Sequence, residues 1–200
     1  MGRAIMIGLL AVLAGFGSWY EFRAANQVAS APIHSAAALT DARPGQRATA
    51  YGRIDLPGRS GMIISTTTEE RCDTRPVRRS NGQTRYERQC RDQVIARDLP
   101  SFGLVLNDGD QPTIRVLGGG YQLEGRMRTA AIGARQQRRG FQNGDSVLVI
   151  GATEAGGLRA ETVYGGTRDE YVDNTLLLAW GLAALGLALL GASVALVWFF

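Results

Sequence analysis

Two hundred residues, 45% of them hydrophobic, leave room for one modest domain and little else. The formal net charge of +4 arises from 22 basic residues, all of them arginine, against 18 acidic ones. That excess is too small to argue for nucleic acid, and an all-arginine basic set points to a GC-rich bacterial genome more than to any chemistry.

In chain order, the first feature is an uncharged run over 4–20. As a helix it spans about 25 Å, just short of a ~30 Å hydrocarbon core. Trp19, Tyr20 and Phe22 supply an aromatic belt that extends its reach to the interface. A cleaved signal peptide has the same outline. However, the run passes directly into bulky Trp19-Tyr20-Glu21-Phe22, and the small-x-small site Ala29-Ser30-Ala31 is followed by Pro32. The reading is therefore a retained anchor over 1–22.

Residues 23–46 are rich in Ala, Ser and Pro without a clean period, and read as a linker with one helical turn near 35–39. From Arg47 the pattern changes to short strands and turns. Strands are expected at 47–55, 61–72, 84–97, 102–107, 113–118, 145–154 and 158–165. Ser80-Asn81-Gly82, Asp108-Gly109-Asp110-Gln111 and Ala155-Gly156-Gly157 are hairpin turns in this reading. The Gly- and Arg-rich stretch 118–144 is expected to be weakly ordered except near Tyr121–Leu123. Seven short strands without a long amphipathic helix make the 47–168 region a small β-barrel or sandwich. A second uncharged run, 176–200, closes the chain within a helix expected over 174–200. At about 37 Å it crosses a bilayer with some tilt, and Trp198 is its interfacial residue.

The flanking charges orient the pair. Arg3 precedes the first helix, and Asp169, Glu170 and Asp173 precede the second, which puts the N-terminus inside and the domain outside a bacterial inner membrane, in the periplasm. Cys72 and Cys90, the two cysteines, are equidistant from residue 81 in the expected Asn81-Gly82 turn. In an oxidising compartment they read as a cross-strand disulfide, with free thiols as the alternative.

Chemistry-bearing motifs are sparse. His34, the single histidine, falls in the linker and by itself makes neither a metal site nor a triad. Gly118-Gly119-Gly120 lacks the Lys and Ser/Thr of a phosphate loop. No cofactor or metal is expected. Two arginine clusters stand out: Arg75, Arg78, Arg79, Arg85, Arg88 and Arg91 on one hairpin, and Arg126, Arg128, Arg135, Arg138 and Arg139 in the long loop. One reading is a solvated edge interleaved with Asp73, Glu87 and Asp92. The other is a contact with anionic headgroups or an acidic partner, since the planar guanidinium fork binds carboxylate and phosphate. Small residues recur at helical spacing in both apolar runs, at Gly8, Ala11 and Gly15 and at Ala184, Ala188 and Ala192, so these helices are expected to pack on each other or on neighbours. Neither run contains an ionisable residue, which argues against ion or proton transport.

The A-x-G-R-I-D strand, Phe102-Gly-Leu-Val-Leu-Asn-Asp with the following Thr-Ile-Arg-Val, and Gly144-Asp-Ser-Val-Leu-Val-Ile-Gly with its hairpin to Gly157-Leu-Arg-Ala-Glu give an arrangement of anchor, β domain and anchor. It resembles the GIDE-type family, whose "beside a membrane" domain occurs in mitochondrial ubiquitin ligases and bacterial relatives. The resemblance implies a mainly β, OB-like domain between two transmembrane helices. Ligases of this type carry a Cys/His RING after the second helix. These 200 residues contain none, so the resemblance implies a membrane-tethered interaction domain and not ligase activity. The expected role is that of a non-catalytic accessory or scaffold subunit. Its partners are the lipid bilayer and other subunits of a larger, respiratory or photosynthetic type of complex. The alternative is an extracytoplasmic ligand-binding or assembly-chaperone module.

Overall fold

A computed structural model describes residues 2–31, 35–78, 84–107, 112–155 and 157–199. The chain divides into two compact units: Met1–Ile33 with Gly166–Phe200, and His34–Gly165. Strand is the predominant secondary structure among the described residues, so the protein is mainly β, and two helices are long and apolar enough to cross a membrane.

The first unit is an antiparallel helix pair, α1 (Gly2–Ser30) and α3 (Arg168–Phe199). Ala11, Ala14, Ala25 and Val28 of α1 and Thr175 and Ala179 of α3 are buried in the seam, where small side chains let the backbones approach. A Cβ added to Gly186 would meet the Ala11 carbonyl at 3.4 Å and the Ala14 methyl at 3.5 Å. Ser18 Oγ donates 2.9 Å to the Ala179 carbonyl, and the Phe22 ring meets Trp180 edge-on at 5.2 Å. Outward-facing residues are large and apolar, among them Phe16 at 68% exposure and Leu187 at 71%.

α1 runs on through Ser30, beyond the anchor boundary expected at Phe22 and into the segment expected to be a linker. Ala24-Ala25 costs a helix little, and Ala25 and Val28 continue the buried stripe. Arg168 then caps the end: its Nε donates 3.0 Å to the Val28 carbonyl and its Nη2 donates to that of Ala29. α3 starts with a capping box in which the Glu170 N–H reaches Thr167 Oγ1 and the Thr167 N–H reaches Glu170 Oε2, each at 3.2 Å.

The second unit begins with a short helix, α2 (Ala36–Asp41), N-capped by Ser35. Ten strands follow: β1 (Arg47–Asp55), β2 (Met62–Arg78), β3 (Thr84–Asp98), β4 (Phe102–Leu106), β5 (Thr113–Leu117), β6 (Gln122–Gly125), β7 (Arg128–Ala131), β8 (Gln136–Gln142), β9 (Ser146–Glu154) and β10 (Gly157–Gly165). One sheet has the order β5-β4-β1-β9-β10-β6, and a parallel β5–β10 pairing, Leu158 opposite Val116, closes its first five strands into a barrel. Alternation fills the interior with Ala48, Ala50, Ile54, Phe102, Leu104, Leu106, Val116, Val147, Val149 and Leu158. Gly52 permits the tight β1–β4 approach, because a Cβ there would lie 2.3 Å from the Val105 carbonyl oxygen. A second sheet has the order β3-β2-β8-β7.

The expectation of weak order across 118–144 is corrected, since β6, β7 and β8 lie there. Their main partners are remote in sequence: β6 pairs with β10, and β8 with β2 as well as β7. No local hairpin signal marks β6, and the Arg- and Gln-rich β8, although paired on both sides, lacks the apolar alternation that identifies a half-buried strand. β2 also runs six residues past its expected end at Cys72, carrying Pro76, which a two-stranded ribbon tolerates because both of its strands are edges.

Candidate functional site

Beyond Glu69, the last β2 residue paired to β8, β2 and β3 continue alone as a two-stranded ribbon. Its register sets Glu70 opposite Asp92, Arg71 opposite Arg91, Cys72 opposite Cys90, Asp73 opposite Gln89, Thr74 opposite Arg88, Arg75 opposite Glu87, Pro76 opposite Tyr86, Val77 opposite Arg85 and Arg78 opposite Thr84. Opposed residues share a face and successive pairs alternate. One face therefore carries the cysteines, Arg88, Tyr86 and Arg78. The other carries Arg71, Arg91, Arg75, Glu87, Arg85 and Val77. Cys72 and Cys90 are joined as a disulfide with Cα atoms 3.9 Å apart. Glu70 lies beside them, but oxidised sulfurs offer no thiolate to a metal.

Residues 73–78 and 84–89 are exposed throughout, with Tyr86 at 70%. Among the described residues, Arg75, Arg78, Arg85 and Arg88 have no carboxylate within ion-pair distance. Arg79, Asn81-Gly82, Asp108, Asp110 and His34 lie outside the described residues.

The second arginine group is on the same sheet but not at the same place. Arg138 stands opposite Thr67 and Ala130, and Arg139 opposite Thr66 and Thr129, at the base of the ribbon. The Arg135 carbonyl accepts 2.8 Å from the Glu70 N–H. Eight residues of β2 separate Thr67 from Arg75, roughly 27 Å of strand, so Arg138 and Arg139 stand well away from the distal arginines of the ribbon. Arg128 is committed elsewhere, in a two-pronged pair with Asp145 at 2.8 and 3.1 Å.

Asp145 is an unforeseen keystone of the β8–β9 turn. Its Oδ2 accepts 2.8 Å from the Gln142 N–H and its carbonyl accepts 3.0 Å from the Ile54 N–H, tying the turn to β1. Partial burial pushes its carboxyl upward, but the Arg128 hydrogen bonds, the Gln142 N–H and the Arg128 charge together outweigh this and hold it below the usual carboxylate range. Tyr121 is similarly structural. Its buried ring lies edge-on to Phe102, and its hydroxyl donates 2.9 Å to the Pro100 carbonyl. Burial, helped by the Asp98 charge, raises its pKa well above the ordinary tyrosine value.

An open groove of about 760 Å³ lies against the end of β5 and the start of β10, lined by Gly118–Gly120, Gln122, Glu154, Arg159 and Glu161. Arg159 is neutralised there by Glu154, Nε to Oε2 at 2.7 Å. Of the small residues singled out in the helices, Gly8 and Ala11 face α3. Gly15 is exposed, although its N–H edge passes near Gly186. Ala184, Ala188 and Ala192 are exposed and take no part in the α1–α3 seam, which uses Thr175, Ala179 and Gly186.

Sequence patterns carried signals for two features that were missed: Thr167-x-x-Glu170 has capping-box spacing, and the Gln142–Asp145 turn has an Asn-Gly centre. Arg168 and Tyr121 gave none. No protein-family model matches the chain, and no curated protein or solved structure is similar to it at a significant level.

Proposed function

We propose that α1 and α3 cross a bacterial inner membrane and present an OB-like barrel in the periplasm, where it serves as a non-catalytic accessory or scaffold module of a larger membrane assembly. The observation that carries this reading is the helix pair. Its seam is closed by small residues while its outer surface is Leu, Phe, Trp and Val, the reverse of what water selects. Both helices adjoin one polar barrel domain in sequence. Arg3 at the start of α1, ahead of the uncharged run, and the acidic start of α3 favour the barrel outside.

The barrel strands follow the closed order first-second-third-fifth-fourth, with the third and fifth parallel, which supports the OB-like reading and the likeness to the GIDE-type domain. The ribbon occupies the connection between the first and second barrel strands, a position such barrels use for binding. The shifted groups, Tyr121, Arg128 and Asp145, each serve a structural contact, which favours a binding role over a catalytic one. Cross-linking in native membranes followed by identification of the attached chains tests the proposal. Defined membrane subunits are expected. A monodisperse monomer without partners after mild-detergent extraction would contradict it. The glycine-lined groove favours a second reading, a small-ligand module, which a ligand-dependent rise in Tm would support.

A further inference from the structure

We propose that the distal ribbon docks into the anionic headgroup layer of a lipid bilayer. Charge is the first argument. Residues 74–78 and 84–88 hold four arginines against one glutamate, a net +3 out of the whole chain's formal +4. The remaining 190 residues are thus close to neutral in sum, and the excess sits on an exposed projection.

The distribution of that charge selects the partner. Arg78 and Arg88 occupy one face and Arg75 and Arg85 the other, and each face also carries an apolar or aromatic group, Tyr86 with Pro76 on the first and Val77 on the second. A folded acidic protein would complement one face and leave the other in water. A fluid headgroup layer surrounds whatever enters it, so it satisfies guanidinium groups on both faces at once. Exposed tyrosine is enriched at that depth, and the arginine fork suits phosphate. The inference rests on the reading that α1 and α3 cross a membrane, because that tether keeps the ribbon at high effective concentration beside headgroups.

Near an anionic surface each arginine contributes roughly fivefold in affinity, so four arginines offset by Glu87 give about a hundredfold. The full chain, disulfide intact, is incorporated into nanodiscs of neutral phosphatidylcholine or of phosphatidylcholine with about 30% phosphatidylglycerol, and amide exchange is read by mass spectrometry. Slower exchange across 74–78 and 84–88 is expected in the anionic discs only, by about tenfold or more. It should vanish in about 0.5 M salt and in the Arg75→Gln, Arg78→Gln, Arg85→Gln, Arg88→Gln variant. Equal exchange in both discs overturns the proposal. Equal exchange in discs with protection in native membranes also overturns it, assigning the tip to an acidic protein instead. Protection in neutral discs on adding inorganic phosphate overturns it in favour of a free-anion site. Failure of the chain to enter either disc defeats the membrane-spanning reading itself, an outcome separate from the exchange result.

Discussion

Replacing Cys72 and Cys90 with serine should unfasten the outer ribbon while leaving the barrel intact. The ribbon beyond Glu69 has no third strand, and 73–78 and 84–89 bury nothing, so its pairing resembles an isolated hairpin, which is marginal in water. Two rows beside the disulfide set like charges opposite one another, Glu70 with Asp92 and Arg71 with Arg91, and both oppose pairing. The disulfide closes a loop with a sequence separation of 18. Loop-closure entropy for that length is about 3 kcal/mol, roughly a hundredfold in the local opening equilibrium. Native-state amide exchange should show protection of 73–78 and 84–89 falling by up to that factor in the serine variant, with β1, β4 and β9 unchanged. Unaltered exchange in the ribbon would refute the argument. So would loss of protection spread evenly through the barrel, since it would make the ribbon part of one cooperative unit.

Gly52→Ala should cost the barrel about 1–3 kcal/mol in denaturant unfolding, because its new methyl meets the Val105 carbonyl and not a yielding side chain. Gly186→Leu should widen the separation of spin labels at Leu9 and Leu190 by about 2 Å in nanodiscs, whereas Ala184→Leu and Ala188→Leu should leave it unchanged. Asp145→Ala should lower barrel stability by about 1–3 kcal/mol at pH 7 through loss of charge-assisted hydrogen bonds. The folded carboxyl sits below its unfolded value, so its contribution is complete above the ordinary aspartate range and fades as pH falls through the folded pKa. Thermal melts of wild type and variant should therefore converge as the pH falls below the ordinary aspartate range.

The local grammar of the chain was legible. Arg47–Asp55 alternates and stops before Leu56-Pro57-Gly58, and β1 has those same bounds. β4 with β5 and β9 with β10 form the antiparallel pairs that their spacing implies. What local pattern could not carry was long-range pairing. The parallel β5–β10 contact that closes the barrel joins residues about forty apart, and β8 finds β2 across about seventy. The helix seam was half legible: period alone placed small residues on a stripe, but which stripe of α3 faces α1 depends on rotation about the axis, set by Ser18, Gly186 and the Phe22–Trp180 contact. The ribbon arginines were visible as a cluster. Their division between two faces follows only from the register.

Protease treatment of intact, right-side-out spheroplasts, with the fragments then washed in alkaline carbonate, addresses most directly the claim that two helices hold the barrel outside the membrane. Cleavage in the exposed ribbon is expected to yield two fragments, separable only under reducing conditions, both of which remain with the membrane pellet. A ribbon that stays uncut until the cells are lysed, or fragments that the carbonate wash releases, would contradict it.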